Sequence, residues 1–298
     1  MATGLNQANG QRYHFDIYAL LEGAQELYFG HEVQVNVNLV ELVKVRLPNG
    51  EEVEKCYLSP TKRRGVERRA LLWAPTGSGK LLGDVLDCGI PKTCAKQECP
   101  ICNVYGGLIT DSKGGRERTT FIGRLTHGGG VAIQDQSPEE KQRAMHPSDI
   151  HRGGDGEEPM PFRRQYNQPG LLYPIYNHCL SVTDEEFRPV AYAFQDSLAR
   201  IGAGNPKGVR LAERAKTPMI VLDRYLVPKG ERPVLSPSLC ESEEAYNAFW
   251  NAAKQVEGKP QNDDHISATN FERWTGQAAL NKLAEFADAF VNEVLKKR

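Results

Sequence analysis

The sequence predicts an α+β protein, because the two kinds of element occupy different parts of the 298-residue chain. Alternation of apolar and polar residues, the sign of strands, dominates the first third, whereas helical periodicity dominates the last third. Separate runs of strands and helices are typical of α+β folds. The centre, roughly residues 74–180, is irregular and rich in glycine, proline and charge, which is typical of functional loops.

The strands of the first third are predicted from their period of two. One strand covers Tyr13–Leu21, with Phe15, Ile17 and Ala19 on one face. A second is predicted where Val33, Val35, Val37 and Leu39 alternate with polar residues, and it continues through Leu39–Leu47. Pro48-Asn49-Gly50 then predicts a turn before the apolar pattern resumes at Val53.

The helices are predicted from capping signals and apolar stripes. Two of them open with a capping box: one starts at Ser137, with Pro138 at its first position, and the other starts at Thr183 and ends before Gly202. Two more have apolar residues every three or four positions near the C-terminus. We expect these helices to cover residues 137–146, 183–200, 242–256 and 277–297.

Composition excludes several classes of protein. Apolar residues make up 40% of the chain, but no run approaches the roughly 18 consecutive apolar residues of a membrane span. The N-terminal residues are polar, unlike a signal peptide, and seven cysteines in such a chain indicate a reducing compartment. The expectation is therefore a cytoplasmic protein rather than a membrane, secreted or collagen-like one.

Charge is distributed unevenly along the chain. Residues 56–236 carry 26 Lys and Arg against 20 Asp and Glu, whereas both ends are acidic. The excess includes a basic stretch, Thr61–Arg69, with five positive charges against one negative. A positive middle suits a groove for an anionic partner, although so mild an excess also suits a chance distribution.

Four cysteines fall within fifteen residues in the pattern C-x5-C-x4-C-P-x-C: Cys88, Cys94, Cys99 and Cys102. Four thiolates are the ligand set of a closed, structural zinc site, and free thiols or two disulfides are the alternatives. A zinc deaminase is excluded, because no H-x-E motif precedes these residues and the proline lies inside the cysteine pair. The remaining cysteines are expected to be buried apolar residues: Cys56, Cys179 and Cys240.

Two glycine-rich basic loops have the chemistry of phosphate contacts. The stretch Pro75–Lys80 lacks two fixed elements of a nucleotide-binding phosphate loop, since Ala74 stands at the first glycine position and Leu81 at the hydroxyl position. It still offers a lysine at the start of a short helix, which suits a single phosphate. The second loop, Arg200–Arg210, comes directly after a helix and carries Lys207.

The order of these motifs resembles the backbone subunit of multisubunit CRISPR effectors, the Cas-seven group of the RAMP superfamily. The similarity covers roughly residues 70–215, and its most specific part is the C-P-x-C-x-x-Y-G run together with the later glycine loop. The segments that carry it are Pro75–Asp84, Cys99–Gly107, Leu125–Ile133, Gln168–Leu180 and Val182–Arg210.

The resemblance implies a modified RRM-like, ferredoxin-like antiparallel sheet with helices, interrupted by insertions. The domains expected on this basis are a palm (1–73 and 171–236), a zinc-bearing insertion (74–123), a thumb insertion (124–170) and C-terminal helices that pack on the palm (237–298). Lys80 falls in the family's phosphate-contacting loop, and Gly202, Gly204 and Gly208 fall in its glycine loop. Lys207 stands where the family commonly has arginine.

The implied function is binding of CRISPR RNA, without cleavage, in a complex of type I or type IV. Copies would polymerise head to tail along the guide RNA and present it to target nucleic acid beside other effector subunits, away from any membrane. Type III members cut RNA with an Asp in an early loop, and residues 22–70 contain no Asp. The expected phosphate contacts are Arg63, Arg64, Arg68, Arg69, Lys80, Lys207 and Arg210.

Three other interpretations remain open on the sequence. One is an RNA-cleaving backbone subunit of the type III kind. A second is a nucleotide-binding enzyme that uses the loop Gly77–Lys80, and the third is a structural zinc protein with no role in nucleic-acid binding.

Overall fold

Strands and helices alternate through this computed structural model, which describes residues 10–28, 30–34, 37–109, 119–135, 137–142, 163–202, 208–257 and 264–298. The strands are β1 (Tyr13–Gly23), β2 (Gly30–Gln34), β3 (Val37–Val40), β4 (Leu42–Arg46), β5 (Glu52–Cys56), β6 (Gly107–Ile109), β7 (Thr119–Phe121), β8 (Leu125–Gly129), β9 (Glu139–Gln142), β10 (Arg163–Tyr166), β11 (Leu172–Val182), β12 (Val209–Leu211), β13 (Glu213–Arg214), β14 (Thr217–Pro218), β15 (Ile220–Tyr225), β16 (His265–Ala268) and β17 (Phe271–Thr275). The helices are α1 (Pro60–Leu72), α2 (Leu82–Leu86), α3 (Cys102–Tyr105), α4 (Asp184–Leu198), α5 (Ser242–Lys254) and α6 (Gly276–Phe290), the last continued by a π-helical turn, Val291–Leu295.

The main sheet has the strand order β16-β17-β15-β1-β11-β8, with antiparallel neighbours throughout, and β12 pairs with the end of β1. Along the chain, β1, α1, β8, β11, α4 and β15 form the βαββαβ order of a ferredoxin-like fold. The predicted α+β class with an antiparallel sheet and helices is confirmed.

Each face of the main sheet packs against an apolar core, and one of these two cores is larger than the other. On β1, Phe15, Ile17 and Ala19 point into one core together with apolar residues of α1, α4 and α6, as the alternation predicts. The ring of Phe15 stacks on Phe187 of α4 with centroids 4.1 Å apart. Full burial of a side chain of this size stabilises the fold by about 1.5–3 kcal/mol. On the other face, Tyr18 packs in a smaller core with residues of α5.

A buried polar network fixes α1 to the sheet. Glu67 of α1 accepts hydrogen bonds from Tyr105 Oη (3.0 Å), His127 Nε2 (2.7 Å) and Asn177 Nδ2 (3.0 Å). Arg63, one turn earlier, donates to Asn177 Oδ1 (2.9 Å). Burial alone would raise the pKa of Glu67, but the charge and hydrogen bond of His127, with the charge of Arg63, hold that pKa below its ordinary value.

A second polar junction joins the N-terminus of α4 to its surroundings. Thr183 and Glu186 form the predicted capping box. The Glu186 carboxylate also accepts hydrogen bonds from Arg12 (2.8 Å), Arg124 (2.9 Å) and Asn103 (2.9 Å). Although burial opposes ionisation, these hydrogen bonds lower the pKa of Glu186 to about 2.

Two predicted elements are wrong in kind. The helix expected from Ser137 is absent at residues 139–142, which form β9 and pair antiparallel with β10, while residues 143–146 lie outside the described residues. This stretch is polar and charged and has no apolar stripe to bury as a helix. The single strand expected through Val33–Leu39 is instead two strands, β2 and β3, paired antiparallel with each other.

The C-terminal elements match their predicted positions and also extend the sheet. The helices expected over 242–256 and 277–297 are α5 and α6, the latter ending in the π-helical turn. Between them, β16 and β17 add two strands to the main sheet, and β8, from the segment expected to form the thumb, forms the opposite edge. No helix of the described residues is long and apolar enough to cross a membrane.

Glu186 generates a prediction on acid stability. Because its pKa is about 2 in the folded chain and about 4.3 in an unfolded one, its contribution is present above pH 4.3 and is lost as the pH falls toward 2. We expect Glu186→Gln to destabilise the protein by about 2 kcal/mol at pH 7, with the difference from wild type narrowing below pH 4. Urea unfolding at several pH values measures it.

The control is Glu185→Gln, because Glu185 lies in the same helical turn and is exposed. It should change stability by less than about 0.5 kcal/mol at every pH. An equal effect of the two substitutions on the free energy of unfolding would contradict the role of Glu186 in holding the N-terminus of α4 to its surroundings.

Candidate nucleic-acid interface and metal centre

The four clustered cysteines converge on one point in the structure. Cys88, Cys94, Cys99 and Cys102 are all buried, and their sulfur atoms all lie within 4.8 Å of one another. The Sγ of Cys102 is 3.5 Å from that of Cys88 and 3.6 Å from that of Cys94. A tetrahedron with metal–sulfur bonds of about 2.3 Å places its sulfurs about 3.8 Å apart. The cluster therefore has the size and donor set of a closed metal site.

The four thiols are also close enough to hydrogen-bond with one another, and these hydrogen bonds lower the pKa of Cys88 and raise that of Cys99. None of the four forms a disulfide, so the two-disulfide alternative is not what the structure shows.

The cysteine cluster is attached to α1 by contacts on both sides. Cys102 begins α3, and Tyr105 at the end of α3 donates its hydroxyl to Glu67. From the α1 side, Arg68 Nη2 lies 4.0 Å from the Sγ of Cys102. The position of the cluster relative to α1 is therefore fixed.

A cleft of about 350 Å³ lies between the outer face of α1 and the end of α4, and we call it the α1–α4 cleft. Its walls come from the chain before α1, from α1 itself, and from the start of the glycine loop. The lining residues are Tyr28, Leu58, Thr61, Lys62, Gly65, Val66, Arg69, Arg200, Ile201 and Gly202.

The α1–α4 cleft carries positive charge that is only partly neutralised. Lys62 pairs with Glu41, and Arg200 pairs with Asp196 one turn earlier in the helix. Arg69 is exposed and pairs with no carboxylate of the described residues. Among the described residues, Arg69 is thus the cation of this cleft that is available for an anion.

The glycine loop beside the cleft depends on the absence of side chains. Gly202 and Gly208, on either side of residues that are not described, have φ angles of 104° and 57°. A Cβ atom on Gly208 would lie 2.3 Å from the carbonyl oxygen of Leu198 in α4. The chain can return from α4 to β12 at this place only with glycine.

Three residues expected to contact phosphate have other roles. Arg63 is buried and donates to Asn177 and to the carbonyl of Gly128, so no surface anion reaches it. Arg64 donates to the carbonyls of Leu125 and Tyr105. Arg68 faces the metal centre. Helical geometry turns these residues toward the sheet and the cysteine cluster. Phosphate contact is therefore wrong for the buried Arg63, whereas for Arg64 and Arg68 it stays a prediction.

The other expected contacts are not gathered in one place. Lys80 is exposed on the loop Pro75–Leu81, which does not line the α1–α4 cleft; Gly77 of this loop donates its backbone N–H to the carbonyl of Leu295. Arg210 is exposed and pairs with Glu22 through two hydrogen bonds. Lys207 and Gly204 lie outside the described residues. Of the predicted residues that the structure describes, Arg69 alone lines the cleft.

The cleft also contains residues that the sequence interpretation did not select: Tyr28, Lys62 and Arg200. The signal for Lys62 was present, because Lys62, Gly65 and Arg69 are spaced by three and four residues and so share one face of a helix. Nothing in the sequence links Tyr28 to α1, since their proximity depends on tertiary structure.

Comparison with known proteins gives matches in structure only. No family model matches the chain, and no curated protein matches it. The chain is similar to Csc2 of Thermofilum pendens, with 14% identity and a TM-score of 0.44 over 95% of this chain and 90% of that one. It is also similar to a chain of a type IV-B CRISPR complex, with 11% identity and a TM-score of 0.39 over 76% of this chain and 96% of that one. Both similarities are distant, so residue roles are assigned from this chain's own contacts.

The glycine loop generates a prediction that separates two effects. Gly208→Ala combines a left-handed φ with a clash against α4, whereas Gly170→Ala has a φ of 87° and open space around the new methyl group. We expect Gly170→Ala to cost about 1 kcal/mol and Gly208→Ala at least about 3 kcal/mol. Urea unfolding of both variants measures the difference. Equal costs would show that close packing against α4 does not constrain this loop.

Proposed function

We propose that this chain is a CRISPR RNA-binding backbone subunit of a class 1 effector complex, of the type I or type IV kind, that does not cleave RNA. The observation that carries the proposal is the α1–α4 cleft, where cations of α1 and α4 meet the glycine loop. The sequence motifs assign this same loop to guide-RNA contact through their resemblance to the Cas-seven group. A cytoplasmic location follows from that role.

In this proposal the cleft binds the ribose–phosphate backbone. Arg69 meets a phosphate directly, while Lys62 and Arg200 exchange their carboxylate partners for phosphate oxygens. Contacts of this kind do not depend on the base, so affinity is independent of sequence and falls steeply with salt. Specificity then comes from base pairing between the guide and its target.

The chemistry of the cleft favours binding over cleavage. Among the described residues that line it there is no carboxylate, histidine or cysteine that could act as a general base. The nucleotide-enzyme alternative is disfavoured at Gly77–Lys80, where the backbone N–H groups of Gly77 and Gly79 are already bonded to Leu295 and Thr76. The helix after this loop, α2, is only five residues long.

We assign the cysteine cluster to a structural zinc ion. Four buried thiolates match the preference of zinc for tetrahedral sulfur coordination and leave no open position for a reacting water. The zinc would hold the segment from Cys88 to Cys102 against α1, so that its role is to stabilise the fold around the cleft.

We further propose that copies of the chain assemble head to tail along one guide RNA, together with other effector subunits. A cleft with a single cation in excess binds one stretch of RNA weakly, and several copies on one strand gain affinity through their proximity. The proposal therefore includes an RNA-dependent oligomer.

The RNA-binding role is tested with cation variants. We expect Arg69→Ala to weaken binding of a labelled single-stranded RNA and to reduce the slope of log K against log salt by about 0.7, the value for one phosphate contact. The triple variant Lys62→Ala, Arg69→Ala, Arg200→Ala should reduce both further. Fluorescence anisotropy at several salt concentrations gives the slope.

The matched control is Arg46→Ala, since Arg46 is an exposed arginine of β4, outside the cleft. It should leave affinity and slope close to wild type. Equal RNA affinity of the triple variant and of Arg46→Ala would refute the proposed interface, and release of RNA fragments by the pure protein would refute the non-cleaving role.

The zinc assignment is tested by metal analysis of the purified chain. We expect about one zinc ion per chain, and loss of that ion in the variant Cys99→Ser, Cys102→Ser. Removal should lower the free energy of unfolding by more than about 3 kcal/mol, because metal binding is coupled to folding. Cys240→Ser, outside the cluster, is the control. Disulfides found by mass spectrometry in metal-free native protein would contradict the assignment.

A further inference from the structure

A second cleft lies on the face of the main sheet opposite α1, α4 and α6, and we call it the sheet-face cleft. Its volume is about 550 Å³, and it takes no part in the proposed function. Side chains of β1, β11 and β15 form its floor, and the segment after β15 forms its rim. The lining residues are Asp16, Tyr18, Tyr176, Asn177, His178, Tyr225, Arg232 and Val234.

Asp16 organises the floor of the sheet-face cleft. Its buried carboxylate accepts hydrogen bonds from Tyr18 Oη (2.7 Å), Tyr225 Oη (3.1 Å) and the Nδ1 of His178. Because a carboxylate accepts, Nδ1 of His178 donates the hydrogen of this bond. The side chain of His178 is 39% exposed and lines the cleft, so its ring is accessible to a ligand.

The aromatic rings around this floor are held in place by close packing. The ring of Tyr176 lies on the backbone of Gly128, where an added Cβ would be 2.6 Å from the ring carbons. His14 stacks on His178 with centroids 5.9 Å apart and lies 5.3 Å from Tyr225. A preformed set of rings accepts a flat aromatic ligand at little entropic cost.

The rim adds a cation to these rings. Arg232 is exposed, lines the cleft and pairs with no carboxylate of the described residues. Val234, which also lines the cleft, leaves apolar surface 47% exposed. A ligand that suits the whole cleft is therefore flat and aromatic at one end and anionic at the other.

We propose that the sheet-face cleft binds one unpaired nucleotide. The base packs against Tyr176 and Tyr225, its polar edge hydrogen-bonds to Nε2 of His178, and the phosphate meets Arg232. The volume lies in the range of small-ligand pockets. A nucleotide within an RNA strand and a free mononucleotide share this chemistry; the choice of RNA as one source rests on the proposed function.

The test uses the full chain with two probes: adenosine monophosphate, and a single-stranded RNA that contains 2-aminopurine. We expect Arg232→Ala and Tyr176→Leu each to weaken binding of a probe held in the cleft by about tenfold. Tenfold corresponds to the binding free energy of one base stacked on an aromatic side chain. Calorimetry reports on the mononucleotide, and quenching of 2-aminopurine reports on stacking in RNA. Arg46→Ala is again the matched control. Because Arg232 is exposed, Arg232→Ala should fold normally, and the test can be carried out with this variant even if Tyr176→Leu does not fold.

The outcomes separate the two sources and the two proposals. Binding of the mononucleotide that Arg232→Ala weakens identifies a free nucleotide as ligand, whereas an effect on RNA alone identifies a nucleotide of the strand; either supports the inference. If Arg232→Ala binds both probes as tightly as Arg46→Ala, the inference is overturned. If Arg69→Ala weakens RNA binding but Arg232→Ala weakens binding of neither probe, only the proposed function survives. Mononucleotide binding that depends on Arg232 supports the sheet-face cleft even where Arg69→Ala has no effect on RNA.

Discussion

The carboxylate of Glu67 lies inside the molecule and binds three elements to α1 at once, through His127 of β8, Asn177 of β11 and Tyr105 of α3. A buried charge is stable only while its partners are present, and removal of one partner from such a pair typically costs about 3–5 kcal/mol. Arg63 supplies the compensating positive charge within the same network. Movement of α1 against the sheet, or of the cysteine cluster against α1, would remove partners of this carboxylate. The network therefore fixes the positions of the sheet, the helix and the cysteine-bearing segment together.

Because α1 is fixed in this way, its helical period assigns each basic residue a separate role. Arg63 points inward to the sheet, Arg64 and Arg68 point to the segment that carries the cysteines, and Lys62 and Arg69 point outward to the α1–α4 cleft. A run of positive charge that suggests one groove in sequence is thus divided among three environments. The same five cations stabilise the interior, surround the metal centre and leave two side chains for an external anion.

The sequence was most informative where one local signal decides the structure. The capping box at Thr183 and the spacing of the four cysteines each depend on a few neighbouring residues, and both predictions agree with the structure. Ser59-Pro60 and Ser137-Pro138 show the limit of such signals: the first pair begins α1, whereas the second precedes the strand β9. The difference lies in the residues after each proline, because α1 has apolar residues to bury and residues 139–142 do not. The α1–α4 cleft could not be predicted, since Tyr28 and Arg200 meet α1 only through tertiary packing.

The charge of the α1–α4 cleft constrains how the chain can use it. Lys62 and Arg200 already have carboxylate partners, so a phosphate that binds them replaces one favourable ion pair with another and gains little at an exposed site. The net gain in binding free energy per chain comes mainly from Arg69, because this side chain has no carboxylate partner among the described residues that a phosphate would have to replace. Under the proposed function, a single copy would therefore bind RNA weakly, whereas a row of copies along one strand would add these small gains in binding free energy, because the copies are held close together. An interface with nearly balanced charge is thus better suited to a repeated subunit than to a protein that binds RNA alone, and the near-neutral charge of the whole chain fits this arrangement.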